Sequence, residues 1–475
     1  MNLVSYSLRT KGLVAFSRRL GTVFTRFGVS EGRTRRSLES MMAALRPYDA
    51  APTFFIPATV LGRSPSLIRR IQRVGAEIGI HGYVHNDYRT LAPDAQNTQT
   101  RDAIAVFNRE RVTFEGFRNP YLGWDEASLE VFRACGFRYD SNEAVIHDVV
   151  PVGELAPALA DSFARSLKLF QAIPCTAYNL RPHTEDGLVR IPLSIPDDEM
   201  LYDRMQITET QRLGDVWRAV MRRVYDLGGI YVLNLHPERG VLARGALDLL
   251  LRQAADLALP VWVTRLREVS AWWRERAATE LQVTALGNGR WRIRLAGSPR
   301  ATLLTRRLSV EDAATTLWSG DDSVVAGRVC TVTSTAFPGV ALSERSTEEV
   351  ERMLREQGYP IMRVASAAQA GGSVYVDLPA GLGSTRAERQ QTASALTQQI
   401  EQGATPLARI GVWPDAKRAA LSITGDIDSV TIQDFFLRIL EVRRYAAASA
   451  SQSEYSDQAD AAPRADGRQR AGDVA

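Results

Sequence analysis

Residues 53–80 read TFFIPATVLGRSPSLIRRIQRVGAEIGI, and this stretch predicts a strand, a helix and a second strand. The apolar runs Thr53–Ile56 and Glu77–Ile80 have the length of short buried strands. Between them, residues 66–74 space their apolar side chains as an amphipathic helix does. Because consecutive strands that are joined through a helix pair in parallel, the stretch favours an α/β fold.

The alternation of strands and helices continues to about residue 275. Helices are predicted over Glu126–Ala134 and residues 246–257, and buried strands over Ile230–Leu235 and Val261–Val263. This pattern predicts a parallel α/β sheet or barrel, in which reactive groups gather at the carboxyl ends of the strands.

The rest of the chain has a different character, because short strands among Gly- and Ser-rich turns follow residue 280. A strand and a helix then return near the carboxyl end. The expected parts are an N-terminal helical segment packed on the next domain (1–50), an α/β barrel (51–278), a small β-rich or α+β domain (279–383), a linker (384–409), a strand with its helix (410–445) and a disordered tail (446–475).

The composition of the 475-residue chain is that of an ordinary globular protein, with 45% hydrophobic and 24% charged residues. The 58 basic and 54 acidic side chains leave a net charge of +4, which predicts no nucleic-acid partner. No long uncharged apolar run is present, so we expect no transmembrane span. The first 20 residues lack a signal-peptide pattern, and a cytoplasmic location is therefore expected.

Two of the five histidines lie four residues apart, directly after the predicted strand Glu77–Ile80. This spacing lets His81 and His85 converge on one metal ion, across a helical turn or around a strand-end loop. On its own HxxxH is a weak signal, and the alternative that these histidines bind no metal stays open.

Three further clusters of polar residues follow apolar runs. Arg118 lies just before the turn proline of RNPY. It could hold a negatively charged group in place, or the segment could be a surface loop. His236 follows a buried strand, as either a reactive or a structural histidine. Asp426 and Asp428 are two residues apart, and like charges this close raise each other's pKa unless a cation intervenes. Helix N-capping would explain only one of the two aspartates.

Together the segments HGYVH (81–85), RNPY (118–121), LNLHP (233–237) and GDID (425–428) resemble the polysaccharide deacetylase family, the carbohydrate esterases of the nodulation-deacetylase type. The resemblance covers about residues 15–275 and 410–445. It implies a distorted (β/α) barrel. It also implies a metal-dependent hydrolase that removes N-acetyl groups from an amino-sugar polysaccharide or glycan.

The order of the motifs departs from the family pattern, because the aspartate motif follows HxxxH by about 340 residues instead of preceding it. We interpret this as a circular permutation, in which the carboxyl-terminal strand supplies the first barrel strand and the small domain is inserted before it. Two alternatives stay open. Residues 410–445 could begin a second, truncated barrel, or strands could be exchanged between two chains of a homo-oligomer, which would make the site intermolecular.

The resemblance implies a metal site built from Asp428, His81 and His85. This mixed nitrogen and oxygen ligand set suits Zn²⁺, and it would also accept Co²⁺, Ni²⁺ or Mn²⁺. Three protein ligands leave coordination positions open for water and the substrate carbonyl.

The resemblance also implies catalytic roles around the metal. Asp426 would be the general base, and Arg118 would pair with it and keep it ionised. The backbone N–H of Tyr121 would stabilise the oxyanion, and His236 would protonate the leaving amine.

Four more residues are candidates for the substrate side of the site. Trp124 and Tyr83 would line the sugar pocket or else be core aromatics. Asp197 or Asp198 would tune the acid or touch the substrate. The expected partner is a carbohydrate. Two alternatives to the deacetylase function are hydrolysis of another non-peptide C–N bond on the same barrel and a catalytically decayed glycan-binding protein.

Overall fold

The structure is a computed structural model that describes residues 26–445. The first 25 residues of the predicted N-terminal helical segment, where no signal peptide is expected, and the predicted tail at 446–475 lie outside the described residues. Within the described part of the chain, no helix has both the length and the apolar character needed to cross a membrane.

The strands, numbered in chain order, are β1 (Thr53–Ile56), β2 (Glu77–Ile80), β3 (Gly116–Phe117), β4 (Tyr139–Asp140), β5 (Ala144–Ile146), β6 (Ile173–Pro174), β7 (His183–Glu185), β8 (Leu188–Arg190), β9 (Leu193–Ile195), β10 (Ile230–Leu235), β11 (Val261–Val263), β12 (Glu280–Gly287), β13 (Arg290–Ala296), β14 (Leu303–Arg306), β15 (Ser309–Val310), β16 (Thr315–Ser319), β17 (Asp322–Val325), β18 (Val329–Thr333), β19 (Val340–Ser343), β20 (Ile361–Val364), β21 (Val374–Val376), β22 (Leu407–Ile410) and β23 (Ala419–Asp426).

The helices are α1 (Gly32–Leu45), α2 (Ala58–Arg63), α3 (Pro65–Arg73), α4 (Pro93–Arg109), α5 (Glu126–Ala134), α6 (Pro157–Leu169), α7 (Thr210–Leu227), α8 (Gly240–Asp256), α9 (Leu266–Ala277), α10 (Glu348–Glu356), α11 (Arg386–Gln402) and α12 (432–445).

The largest sheet has β23 at its centre, between β1 and β10. Its order is β6–β5–β9–β10–β23–β1–β2–β3–β4–β8–β7, and β11 also pairs with β23. Strand β23 runs parallel to both β1 and β10, and each of its residues is buried. A strand covered on both faces is expected to be apolar, which explains the uncharged run before Asp426.

Two bent segments, residues 139–146 and 188–195, curl this sheet into a distorted barrel. The first contains β4 and β5, and the second contains β8 and β9. Since β4 pairs with β8 and β5 pairs with β9, the two segments join the arms of the sheet on the side away from β23. The predicted α/β class and the distorted (β/α) barrel are confirmed.

Residues 280–410 build three smaller sheets, in the orders β12–β13–β18–β15, β16–β17–β14–β22 and β20–β19–β21. Apolar side chains of the first two of these sheets share a core with Trp272, Trp273, Ile230 at the start of β10 and Ala420, the second residue of β23. The smaller sheets therefore cover the amino ends of the barrel strands and leave the carboxyl ends to the polar motifs.

The segment 384–409, expected to be a linker, carries helix α11 and strand β22. Leu396 and Ile400 of α11 belong to the same buried apolar cluster as Val340 and Leu342 of β19, and β22 pairs with β14. These residues therefore contribute to the core of the small sheets. The boundaries between domains stay predictions.

Candidate metal centre

The carboxyl ends of β2 and β23, which lie on either side of β1 in the sheet, bring the paired histidines to the aspartate motif. His81 and His85 follow β2, and Asp428 lies two residues after β23. The Nε2 atoms of His81 and His85 are 3.6 Å and 3.2 Å from the Oδ1 and Oδ2 atoms of Asp428. The turn between the histidines requires Gly82, whose φ of 81° favours glycine.

These three side chains fit a divalent metal ion. One ligand atom from each of them lies within 4.8 Å of the others, which is close enough for all three to surround one ion. The Nδ1 of His81 donates to the carbonyl oxygen of Arg118 at 2.7 Å, so its Nε2 keeps a lone pair for a metal. Among residues 26–445, the buried Nδ1 of His85 and Oδ1 of Asp428 have no hydrogen-bond partner.

The protonation states of His81 and Asp428 also suit a metal site. Burial lowers the pKa of His81 to about 4, although the charges of Asp426 and Asp428 oppose this shift. Burial would raise the pKa of Asp428, but the neighbouring His85 and Arg438 hold it well below its usual value. The imidazole of His81 is therefore neutral and the carboxyl group is ionised near pH 7, as metal ligands must be.

A buried network fixes Asp426 beside this cluster. The Nη1 of Arg118 donates to Oδ1 of Asp426 at 3.2 Å and to Oδ1 of Asn234 at 2.8 Å, and Nδ2 of Asn234 donates to Oδ2 of Asp426 at 2.9 Å. The Phe55 ring supports the guanidinium from 4.3 Å. Burial would raise the pKa of Asp426, but the charge of Arg118 lowers it, so the carboxylate stays ionised.

His236 lies at the end of β10 and is held by Asp198. The Nδ1 of His236 is 2.6 Å from Oδ1 of Asp198, and its backbone N–H donates to Oδ2 at 2.7 Å. Burial alone would lower the pKa of His236, but the charge of Asp198 and its hydrogen bond raise that pKa well above the usual value. Burial, with the charge of Asp198, raises the pKa of Asp197 to about 7.

Tyr121 lies in a strained turn next to the histidines. Its φ of 59° is in the left-handed region, which is uncommon for a residue with a side chain. Its ring packs edge-on against His85, with 4.8 Å between the ring centroids. Tyr121 therefore forms part of the cavity wall beside His85, one of the candidate metal ligands.

The aromatic residues Trp124 and Tyr83 are not among the residues that line the cavity at the cluster. Trp124 lies between the guanidinium groups of Arg190 and Arg386, whose Cζ atoms are 4.2 Å and 5.0 Å from its ring centroid. Tyr83 packs against Tyr445. Neither ring therefore lines this cavity, and the sugar-lining role of both residues stays a prediction, with the core-aromatic alternative still open.

A cavity of about 130 Å³ lies over the cluster. Sequence reasoning missed several of its residues, of which Asn234 and Arg438 make the closest contacts with the aspartate motif. Asn234 was detectable, because side chains alternate along a strand and it shares a face of β10 with His236. Asn119 also lines the wall, and among residues 26–445 its buried side-chain amide has no hydrogen-bond partner. The remaining wall residues are apolar or paired: Arg26, Phe27, Leu122, Leu169, Phe170, Glu199, Arg204, Glu238, Arg239 and Phe435.

Comparisons with known proteins confirm the family resemblance. Residues 31–139 match the polysaccharide deacetylase family model. A curated relative, the peptidoglycan deacetylase-like protein FGM2 of Gibberella zeae, is 32% identical over 93 residues, which are 19% of this chain and 27% of the relative. The chain thus matches about a quarter of the length of that relative.

The solved structures that are similar to the chain include the following two. A Mycobacterium smegmatis protein assigned to the polysaccharide deacetylases is 22% identical, with a TM-score of 0.43 over 60% of this chain and 90% of its own. A pseudoenzyme of carbohydrate esterase family 4 from Bacillus anthracis is 14% identical, with a TM-score of 0.32 over 50% of this chain and 61% of its own.

Proposed function

We propose that the protein is a metal-dependent deacetylase that hydrolyses the N-acetyl groups of an amino-sugar polysaccharide or glycan. The observation that carries this proposal is the proximity of His81, His85 and Asp428 to one another and to the ionised Asp426. The circular permutation belongs to the same proposal, since β23 brings both aspartates to the histidines within one chain. Neither a second barrel nor a second chain is needed for this arrangement.

The residues proposed to hold the metal are His81, His85 and Asp428, with Zn²⁺ as the first candidate and Co²⁺, Ni²⁺ or Mn²⁺ as alternatives. When bound, such an ion polarises a carbonyl group and makes water more acidic. Asp426 acts as the general base, because it is ionised, faces the cavity and is held at both oxygens by Arg118 and Asn234.

His236 acts as the general acid toward the departing amine. Its Nδ1 is engaged by Asp198, which leaves Nε2 for the substrate. The raised pKa keeps the imidazolium form available above the usual range for histidine. Tyr121 is proposed to stabilise the oxyanion through its backbone N–H, since the residue lines the cavity and packs beside His85.

The test is acetate release from acetylated chito-oligosaccharides by full-length protein, after chelation and after reloading with Zn²⁺. We expect activity that chelation removes and Zn²⁺ restores. Faster hydrolysis of small amides than of the oligosaccharides would favour the alternative function, hydrolysis of another non-peptide C–N bond. Binding of the oligosaccharides without acetate release would favour the decayed glycan-binding protein. A cytoplasmic location and a homo-oligomer stay predictions.

The pH dependence of the reaction should depend on Asp198. His236 must be protonated to donate, so activity is expected to fall as the pH rises through its pKa. The Asp198→Asn variant keeps a hydrogen-bonding side chain but removes the negative charge that raises this pKa. We therefore expect the alkaline limb of the kcat/KM profile to move to lower pH.

The control for this prediction is Asp248→Asn, because Asp248 pairs with Arg244 on α8 and not with His236. Its profile should coincide with that of the wild type. An alkaline limb that stays in place in Asp198→Asn would contradict the assignment of His236 as the acid.

A further inference from the structure

Helix α12 presents a charged side chain to the candidate metal site. Arg438 lies ten residues after Asp428 in the sequence, outside the motifs that carry the family resemblance. Its Nη1 donates to Oδ2 of Asp428 at 2.7 Å. The side chains of Arg438 and Asp428 are only 11% and 14% exposed, so this ion pair is largely withdrawn from solvent. Both residues line the cavity over the cluster.

The two oxygens of Asp428 consequently differ in their surroundings. Oδ2 accepts from Arg438 and lies 3.2 Å from Nε2 of His85. Oδ1 lies 3.6 Å from Nε2 of His81 and, among residues 26–445, has no hydrogen-bond partner although it is buried. A guanidinium group that occupies one carboxylate oxygen leaves the other as the preferred metal ligand.

The position of Arg438 is fixed by the way in which α12 is attached to the barrel. Asp434 accepts from the backbone N–H groups of Val430 and Thr431 at the start of the helix. Arg63 of α2 forms ion pairs with Asp434 and with Glu441, two turns further along α12. The helix is therefore clamped at two points on either side of Arg438.

Aromatic packing also supports the guanidinium of Arg438. The Cζ of Arg438 lies 5.3 Å from the centroid of the Phe435 ring, and Phe435 packs against Phe27 at 5.6 Å. A cation at this distance from an aromatic face is attracted to it. The same helix thus supplies both the guanidinium and the ring that orients it.

We infer that Arg438 is a positioning residue for the metal site, which holds Asp428 as a monodentate ligand by engaging its Oδ2. This inference rests on the proposed function. A one-oxygen carboxylate ligand keeps coordination positions open for water and the substrate carbonyl, which a two-oxygen ligand would fill. The positive charge of Arg438 also offsets part of the negative charge that Asp428 brings to the site.

The test compares cobalt(II) binding by the full-length wild type, Arg438→Met and Arg438→Lys, through calorimetric titration and the visible absorption of the bound ion. Loss of a group that orients a metal ligand typically weakens binding by about 10- to 100-fold. We expect that loss in Arg438→Met, with a changed visible spectrum, and partial recovery of both in Arg438→Lys. Arg443→Met is the matched control, because Arg443 is exposed on the same helix.

Arg438→Met that binds cobalt(II) as tightly as the wild type, with the same spectrum, would overturn the inference alone. Wild-type protein that binds no cobalt(II) would overturn the proposed function and the inference with it. Thermal unfolding of the metal-free proteins identifies a variant that has lost its fold, and Arg438→Lys, which keeps the charge, then carries the comparison.

Discussion

The Asp428→Ala variant is expected to lose the high-affinity divalent metal site, with a decrease in affinity of at least about 100-fold. Removal of a residue that only supports a ligand already costs about 10- to 100-fold, and Asp428 is proposed to be a ligand itself. The substitution also leaves Arg438 without its carboxylate partner. Isothermal titration of the metal-free protein with Zn²⁺ measures the effect, and acetate release should fall with it.

The matched control for this substitution is Asp161→Ala, since Asp161 is 75% exposed on helix α6 and forms an ion pair with Arg165 on that helix, away from the cluster. This variant should bind Zn²⁺ as the wild type does. An Asp428→Ala protein that retains wild-type affinity would place the metal elsewhere and would exclude Asp428 as a ligand.

The Asp426→Asn variant is expected to lower kcat by about 10²- to 10⁴-fold, which is the usual contribution of a general base. Asparagine has nearly the same shape and keeps an oxygen for Arg118, but its amide is not basic. Because Asp426 is not one of the three proposed ligands, Zn²⁺ affinity should change far less than kcat. Steady-state kinetics and titration of the same preparation separate the two effects.

Loss of a buried carboxylate can also weaken the fold, so this prediction needs a control of the same chemistry. Asp322 is a buried carboxylate that pairs with Arg306 and Arg409 among the smaller sheets. Asp322→Asn removes the same charge from an equally buried network outside the proposed site, and it should leave kcat near the wild-type value. A full kcat in Asp426→Asn would contradict its assignment as the base.

Strands next to the site were predictable because their apolar runs are short and their neighbours are turn residues. The predicted strands Thr53–Ile56, Glu77–Ile80 and Ile230–Leu235 have the observed bounds. Their polar continuations then fall at the carboxyl ends, where a parallel barrel gathers them. The pairing of β23 with β1 and β10 was predictable only through the family resemblance, because local patterns do not specify which distant strands pair.

Contacts of long side chains were not predictable from the sequence. Arg438 is one of several arginines on α12, and only the attachment of that helix through Arg63 shows which one reaches Asp428. Trp124 lies six residues after Arg118 but turns toward other arginines instead of the cavity. In both cases the direction of the side chain depends on tertiary packing that the local pattern does not contain.

Point substitutions test the role of the aspartate motif better than a truncation does. Deletion of residues 410–475 would remove β23, whose residues are all buried between β1 and β10. The loss of a central strand exposes the core on both sides, so we expect the truncated chain to misfold. Absence of metal binding in such a protein would therefore reflect the fold and not the ligands.

The most direct measurement is anomalous diffraction from a crystal of the full-length protein grown with Zn²⁺. The proposal predicts one anomalous peak within about 2.3 Å of Nε2 of His81, Nε2 of His85 and one oxygen of Asp428 in the same chain. A peak away from these three side chains, or ligands contributed by two different chains, would contradict the single permuted site on which the proposed activity depends.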